Sequence, residues 1–102
     1  MSKSRLKPEA RKEDILAAAL PLAAEHGYRN ITRNQIAEAA KVSGPTLNYH
    51  FGTMAQLQRD LMRHAIAREN LRVIAQGISA GDSQAAKVDS ELRSRALDYL
   101  KG

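Results

Sequence analysis

The sequence of 102 residues contains no cysteine and no tryptophan, and aromatic residues make up only 4% of it. The absence of cysteine excludes a disulfide framework, a thiolate zinc site and a cysteine nucleophile. No apolar run approaches the roughly twenty residues of a membrane-spanning helix, so we expect no membrane partner. The basic first residues have no apolar stretch after them, which argues against a secretory signal and predicts a cytoplasmic protein. The fold must therefore rest on packing.

Catalytic and metal-binding patterns are also missing. The sequence has no glycine-rich phosphate loop, no plausible Ser-His-Asp arrangement, and no paired carboxylates with a cleft-forming scaffold. The histidines are not paired at ligand spacing, so we expect no metal site. We therefore predict that the protein is not an enzyme and needs no cofactor.

Positive charge is in excess, with 16 basic and 11 acidic side chains and a net charge of +5. This balance favours a polyanionic partner. The first ten residues are especially basic, and we interpret residues 1–10 as a flexible arm whose Lys3, Arg5 and Lys7 contact phosphates. A solvated, frayed terminus is the alternative interpretation of this stretch.

Apolar periodicity and capping residues predict an all-α fold. The first helix is expected over residues 8–26, with a bend at Pro21 and a stop at Gly27. Thr32, with Gln35 completing a capping box, begins a short second helix, and Ser43 caps a third that ends at residue 50 or 51. Thr53 caps a fourth helix expected to reach about residue 76. A turn over residues 77–82 and a last helix over 83–100 complete the prediction.

Residues 32–51 fit a helix-turn-helix, in which two short helices cross closely and the second enters the major groove of DNA. Small and aliphatic side chains, including Ala37 and Ala40, permit the close crossing. The expected base contacts come from the outward residues of the second helix of this pair. They are Gly44, Pro45, Thr46, Asn48 and Tyr49. Among them, asparagine pairs best with adenine, and a small residue admits a thymine methyl group.

A longer set of residues strengthens this interpretation, namely Gly27-Tyr28, Thr32, Ile36-Ala37-Glu38-Ala39-Ala40, Val42-Ser43, Thr46-Leu47 and Tyr49-His50-Phe51. Over about residues 11–65 the chain resembles the DNA-binding domain of TetR/AcrR-family repressors. The resemblance implies a three-helix head over residues 11–53 and a homodimer bound to a palindromic operator in double-stranded DNA. It also implies phosphate contacts at the start of the second helix (Thr32, Arg33), in the Tyr-His-Phe tract (Tyr49, His50) and at the start of the fourth helix (Thr53).

Three positions depart from the family pattern. Lys41 stands where the family often has glycine, Asn48 where an aromatic residue is common, and Met54 where lysine is common. A residue with a Cβ at the turn must lie in or near the left-handed region. We expect phosphate binding here either to be weaker or to shift toward Arg33, Lys41 and the arm, with Ser43 contributing at the start of the third helix.

Few residues follow the head, which leaves little room for a ligand pocket, so a small-molecule inducer is not expected. We interpret residues 54–102 as a helical dimerisation region. The expected dimer contacts are Ile66, Ile74, Val88, Leu92, Tyr99 and Leu100. The apolar stripe of the last helix could instead fold back on its own chain. As an alternative function, the chain could be an interaction module that forms heterodimers with a related regulator and modulates it.

Overall fold

A computed structural model of the chain describes residues 8–101, which form helices joined by short turns and contain no β-strand. The helices are α1 Pro8–His26, α2 Arg33–Ala40, α3 Gly44–His50, α4 Met54–Ala67, α5 Leu71–Ala80, α6 Ser83–Ala86 and α7 Ser90–Lys101. The all-α prediction is confirmed. Over the described residues, no helix is both long and apolar enough to cross a membrane.

The boundaries of α1, α2 and α3 agree with the capping residues in the sequence. Gly27 follows α1 with a φ of 96°, in the left-handed region that closes helices. The side chain of Thr32 accepts from the Gln35 N–H, and Gln35 completes the capping box. Ser43 and Thr53 cap α3 and α4 in the same way. α1 continues through Pro21 without a break.

The head, formed by α1, α2, α3 and the first part of α4, surrounds one apolar core. Leu47 is 1% exposed, Ile36 is fully buried, and both belong to the same cluster as Ile15 and Phe51. Each large aliphatic side chain buried in this way stabilises the fold by about 1.5–3 kcal/mol. Tyr28 and Phe51 are also buried in this core, so their rings are not available to stack on bases.

The prediction that the fourth helix reaches about residue 76 is wrong, because α4 ends at Ala67 and α5 begins at Leu71. Glu69 lies in the left-handed region with a φ of 53°. The Asn70 side chain then accepts from the Val73 N–H at 3.1 Å and caps the new helix. The apolar period continues through this corner, which is why the sequence pattern did not reveal it.

The turn predicted over residues 77–82 is also misplaced, since α5 extends to Ala80 and Gly81 closes it with a φ of 79°. Gly77 lies inside α5, and the close approach of α4 and α6 leaves no room there for a larger residue. A Cβ at Gly77 would lie 2.5 Å from Cε of Met62 and 2.7 Å from Cβ of Ala85. The glycine therefore serves packing rather than a turn.

The last predicted helix is two helices, with a break over residues 87–89 where Asp89 caps α7 by accepting from the Leu92 N–H at 2.8 Å. α7 packs on α5, and this contact involves several of the residues predicted for the dimer. Ile74 is fully buried and Leu92 is 8% exposed within one chain, and Ile66 and Val88 pack against the same cluster. Ile74 and Leu92 are therefore buried by the chain's own helices and Ile66 and Val88 only partly so, whereas Tyr99 and Leu100 are 47% and 50% exposed.

Candidate nucleic-acid interface

α3 is held across α2 by its inner face and by the turn between the two helices. Leu47 is the buried anchor of α3, and Ile36 is its counterpart on α2. The Val42 N–H donates to the Ala37 carbonyl at 3.0 Å, which closes the turn. Lys41 adopts the left-handed conformation expected at this position, with φ 60° and ψ 43°. This geometry is that of a helix-turn-helix.

The outer face of α3 carries the residues predicted to contact bases. Gly44, Pro45, Asn48 and Tyr49 are exposed, and Tyr49 is 78% exposed. Gly44 has open space around the position of a Cβ, so its backbone is accessible. Thr46 is half-buried. The five predicted residues thus lie on one short helix, and its first residues, Gly44 and Pro45, form an exposed leading edge.

Thr46 is oriented by the residue that caps α3. The Ser43 hydroxyl accepts from the Thr46 N–H at 3.1 Å and donates to the Thr46 hydroxyl oxygen at 2.9 Å. Since the Thr46 hydroxyl acts as acceptor here, its own proton stays available to a base or phosphate acceptor. Ser43, predicted as a phosphate contact, therefore also positions a predicted base contact.

Arg33 and Asn48 are joined by a hydrogen bond from Nη1 of the guanidinium to Oδ1 of the amide. The first residue of α2 thereby contacts the middle of α3, fifteen positions later in the chain. The sequence predicted the two side chains for different tasks, a phosphate contact for Arg33 and a base contact for Asn48. It contained no signal that they would meet.

A cleft of about 540 Å³ lies beside this pair, where the starts of α2 and α4 approach each other. Its lining includes Thr32, Arg33, Arg29 and Gln58. Helix N-termini carry unpaired N–H groups and a partial positive charge, which suits phosphate oxygens. The sequence predicted no role for Arg29 or Gln58, and its only signal for either was that Arg29 follows the Gly27-Tyr28 pair.

Tyr49 and His50 end α3 with their rings 5.2 Å apart in an edge-to-face arrangement. Burial lowers the pKa of His50 below its ordinary value of 6.5, and the positive charges of Arg11 and Lys12 lower the pKa further. The imidazole is therefore neutral at neutral pH and would contribute a hydrogen bond rather than a charge.

Lys12, which is half-buried, already contacts other side chains of the head. Its Nζ lies 3.3 Å from Oδ2 of Asp60 and 5.3 Å from the ring centroid of Phe51. Lys41, by contrast, is exposed at the turn beside α3. Lys3, Arg5 and Lys7, the predicted phosphate contacts of the arm, lie outside the described residues. Among the described residues, positive charge near α3 comes from Arg33 and Lys41 on the side of α2, and from Arg11 and Lys12 near His50 at its end.

Comparison with known families agrees with this geometry. Residues 15–61 match the family model described as bacterial regulatory proteins, tetR family. The matched range begins within α1, includes α2 and α3, and ends within α4, so it covers the elements that hold and present the outer face of α3. No curated protein and no solved structure matches the chain.

Proposed function

We propose that this protein is a transcriptional repressor that binds a palindromic DNA operator as a homodimer, since residues 15–61 match the tetR family of bacterial regulatory proteins. DNA binding and a role in transcription regulation follow from the family. The palindrome, the homodimer and the direction of regulation are the proposal. A protein that binds chromosomal DNA in this way would act in the bacterial cytoplasm.

The exposed outer face of α3, opposite the buried Leu47, is the observation that carries the proposal. A major groove about 12 Å wide admits one helix, and α3 offers a thin leading edge made by Gly44 and Pro45. Thr46 and Asn48 follow with hydrogen-bonding groups, and the cleft beside Arg33 supports phosphate binding. The proposed phosphate contacts lie before α2 (Thr32), in the turn before α3 (Lys41), at the end of α3 (Tyr49, His50) and before α4 (Thr53).

A homodimer would place two such edges about one DNA turn, or about 34–36 Å, apart. The exposed face of α7 supports this part of the proposal, and a groove there is lined by Ser90, Arg93, Ser94, Leu97, Asp98 and Leu100. The face is self-complementary: in an antiparallel pair of α7 helices, Arg93 of one copy would lie near Asp98 of the other. The small Ser94 would then face Leu97, which is 37% exposed.

A mobility-shift assay at moderate salt tests the function. We expect the protein to shift a duplex recovered by selection from random sequences and to prefer it over unrelated DNA of equal length. Sedimentation of the complex should give two chains for each palindrome. Binding that is equal on all duplexes, or that involves one chain, would contradict the proposal.

A protein-interaction module that heterodimerises with a related regulator is the second candidate, since the exposed α7 face would also fit a relative's helix. The same assay separates the two. An interaction module would leave DNA unshifted even at low salt, where phosphate contacts are strongest, and would reduce the shift produced by a related TetR-family regulator.

A further inference from the structure

The hydrogen bond between Arg33 and Asn48 changes which groups Asn48 can offer to a base. A free asparagine amide presents an acceptor and a donor side by side, which matches N6 and N7 of adenine. In this protein, Oδ1 of Asn48 accepts from Nη1 of Arg33. The NH₂ group is left as the group that Asn48 directs outward, because Asn48 is exposed and Arg33 lies against its carbonyl side.

Arg33 adds further donors and no acceptor, since a guanidinium carries only N–H groups and stays charged. We propose that Arg33 and Asn48 form one positively charged unit, dominated by hydrogen-bond donors, that selects guanine rather than adenine at the base pair facing Asn48. This inference rests on the proposed DNA-binding function and specifies the base read by that site. It assigns Arg33 a role in specificity in addition to its predicted phosphate contact.

The four bases differ in how they meet such a unit. Guanine presents the acceptors N7 and O6 in the major groove, so both the amide and the guanidinium find partners. Adenine would place its N6 amino group toward Oδ1, where the second lone pair of the oxygen could still accept but the amino group would face the positive charge of Arg33. Cytosine presents an amino donor, and thymine presents only O4 beside a methyl group. Guanine is therefore the best match.

Selection of bound duplexes from random sequences tests the proposal. Asn48→Ala first identifies the base pair that depends on Asn48, since preference should relax there and persist elsewhere. For the wild-type protein we expect guanine at that pair, enriched over adenine by about tenfold, within the range of about 5- to 150-fold typical of a good bidentate pair. Adenine at that pair would overturn the inference.

Two variants test the pairing itself. Arg33→Ala frees Oδ1, so the preference at the same pair should move from guanine to adenine. Asn48→Asp keeps an acceptor for Arg33 but removes the NH₂ donor, so the preference should move toward cytosine, whose amino group can donate to the carboxylate. If the Arg33→Ala protein enriches no sequence, the Asn48→Asp protein provides the test. Guanine retained at this base pair by the Asn48→Asp protein would overturn the inference.

Arg29→Ala is the matched control. Arg29 is an exposed arginine beside the start of α2, but its Nε donates to the Tyr28 hydroxyl at 3.2 Å rather than to Asn48. Its loss should weaken all duplexes in proportion and leave the preferred base unchanged. Enrichment of no sequence by the wild-type protein would overturn the proposed function together with this inference, whereas a palindrome with adenine at the Asn48-dependent pair would overturn the inference alone.

Discussion

Gln76 on α5 accepts a hydrogen bond from the backbone N–H of Tyr28 at 2.9 Å, although the two residues lie 48 positions apart in the chain. The amide NH₂ of the same glutamine donates to the carbonyl of Ala23 at 3.0 Å. The Tyr28 hydroxyl donates to Asp82 at 3.1 Å just beyond α5. These hydrogen bonds therefore connect the end of α1 to α5 and to the turn that follows it.

We expect Gln76→Ala to lower the free energy of unfolding by about 1–3 kcal/mol, because the backbone N–H of the buried Tyr28 loses its partner. Urea unfolding followed by circular dichroism measures the change. Ser79→Ala, at an exposed position of the same helix, is the control and should change stability by less than about 0.5 kcal/mol. Equal effects of the two substitutions would show that the Gln76 bridge contributes nothing specific.

Gly77→Ala should destabilise the protein by about 1–3 kcal/mol through overpacking, even though alanine favours helix by about 1 kcal/mol over glycine. The end of the Met62 side chain can move, but Cβ of Ala85, 2.7 Å from the added atom, moves only with α6. Thermal unfolding measures the loss. The double variant Gly77→Ala with Ala85→Gly removes this contact and should recover part of the stability; no recovery would contradict the packing explanation.

Lys41→Gly should raise the free energy of unfolding by about 0.5–1 kcal/mol, because glycine avoids the steric cost of the left-handed conformation but loses more chain entropy on folding. It should also reduce the slope of log affinity against log salt by about 0.9, the value for one phosphate contact. Lys41→Ala keeps the Cβ and removes the charge, so it should reproduce the smaller slope without the gain in stability. A gain in stability with Lys41→Ala would count against strain at this residue.

His50 makes stability depend on pH. Since burial and the charges of Arg11 and Lys12 lower the pKa of His50 in the folded chain, the unfolded chain binds more protons just below about pH 6.5. The contribution of His50 to stability is therefore intact above that pH and declines as the pH falls toward the lowered pKa. Urea unfolding at about pH 7.5 and about pH 5.5 should show a larger loss in the wild-type protein than in His50→Gln. The same loss in both would refute this assignment.

The family resemblance and the ends of α1, α2 and α3 could be predicted because the signals are local. A capping side chain such as Thr32, Ser43 or Thr53 bonds an N–H three positions further along, so cap and partner lie within one short stretch of sequence. The left-handed turn at Lys41 and the outward face of α3 follow from the same short-range rules. These features were sufficient to indicate a helix-turn-helix.

The sequence alone therefore determined the head of this protein: its helices, its exposed α3 edge and the match of residues 15–61 to a family of bacterial regulators. Tertiary contacts decided the corner after Ala67, the helical position of Gly77, the burial of Ile74 and Leu92 within one chain, and the pairing of Arg33 with Asn48. The physical reason is distance along the chain. An apolar stripe has the same sequence pattern whether it packs on a partner chain or on another helix of its own chain. A glycine likewise has no local signal that distinguishes a turn from a tightly packed helix, so only the folded chain decides.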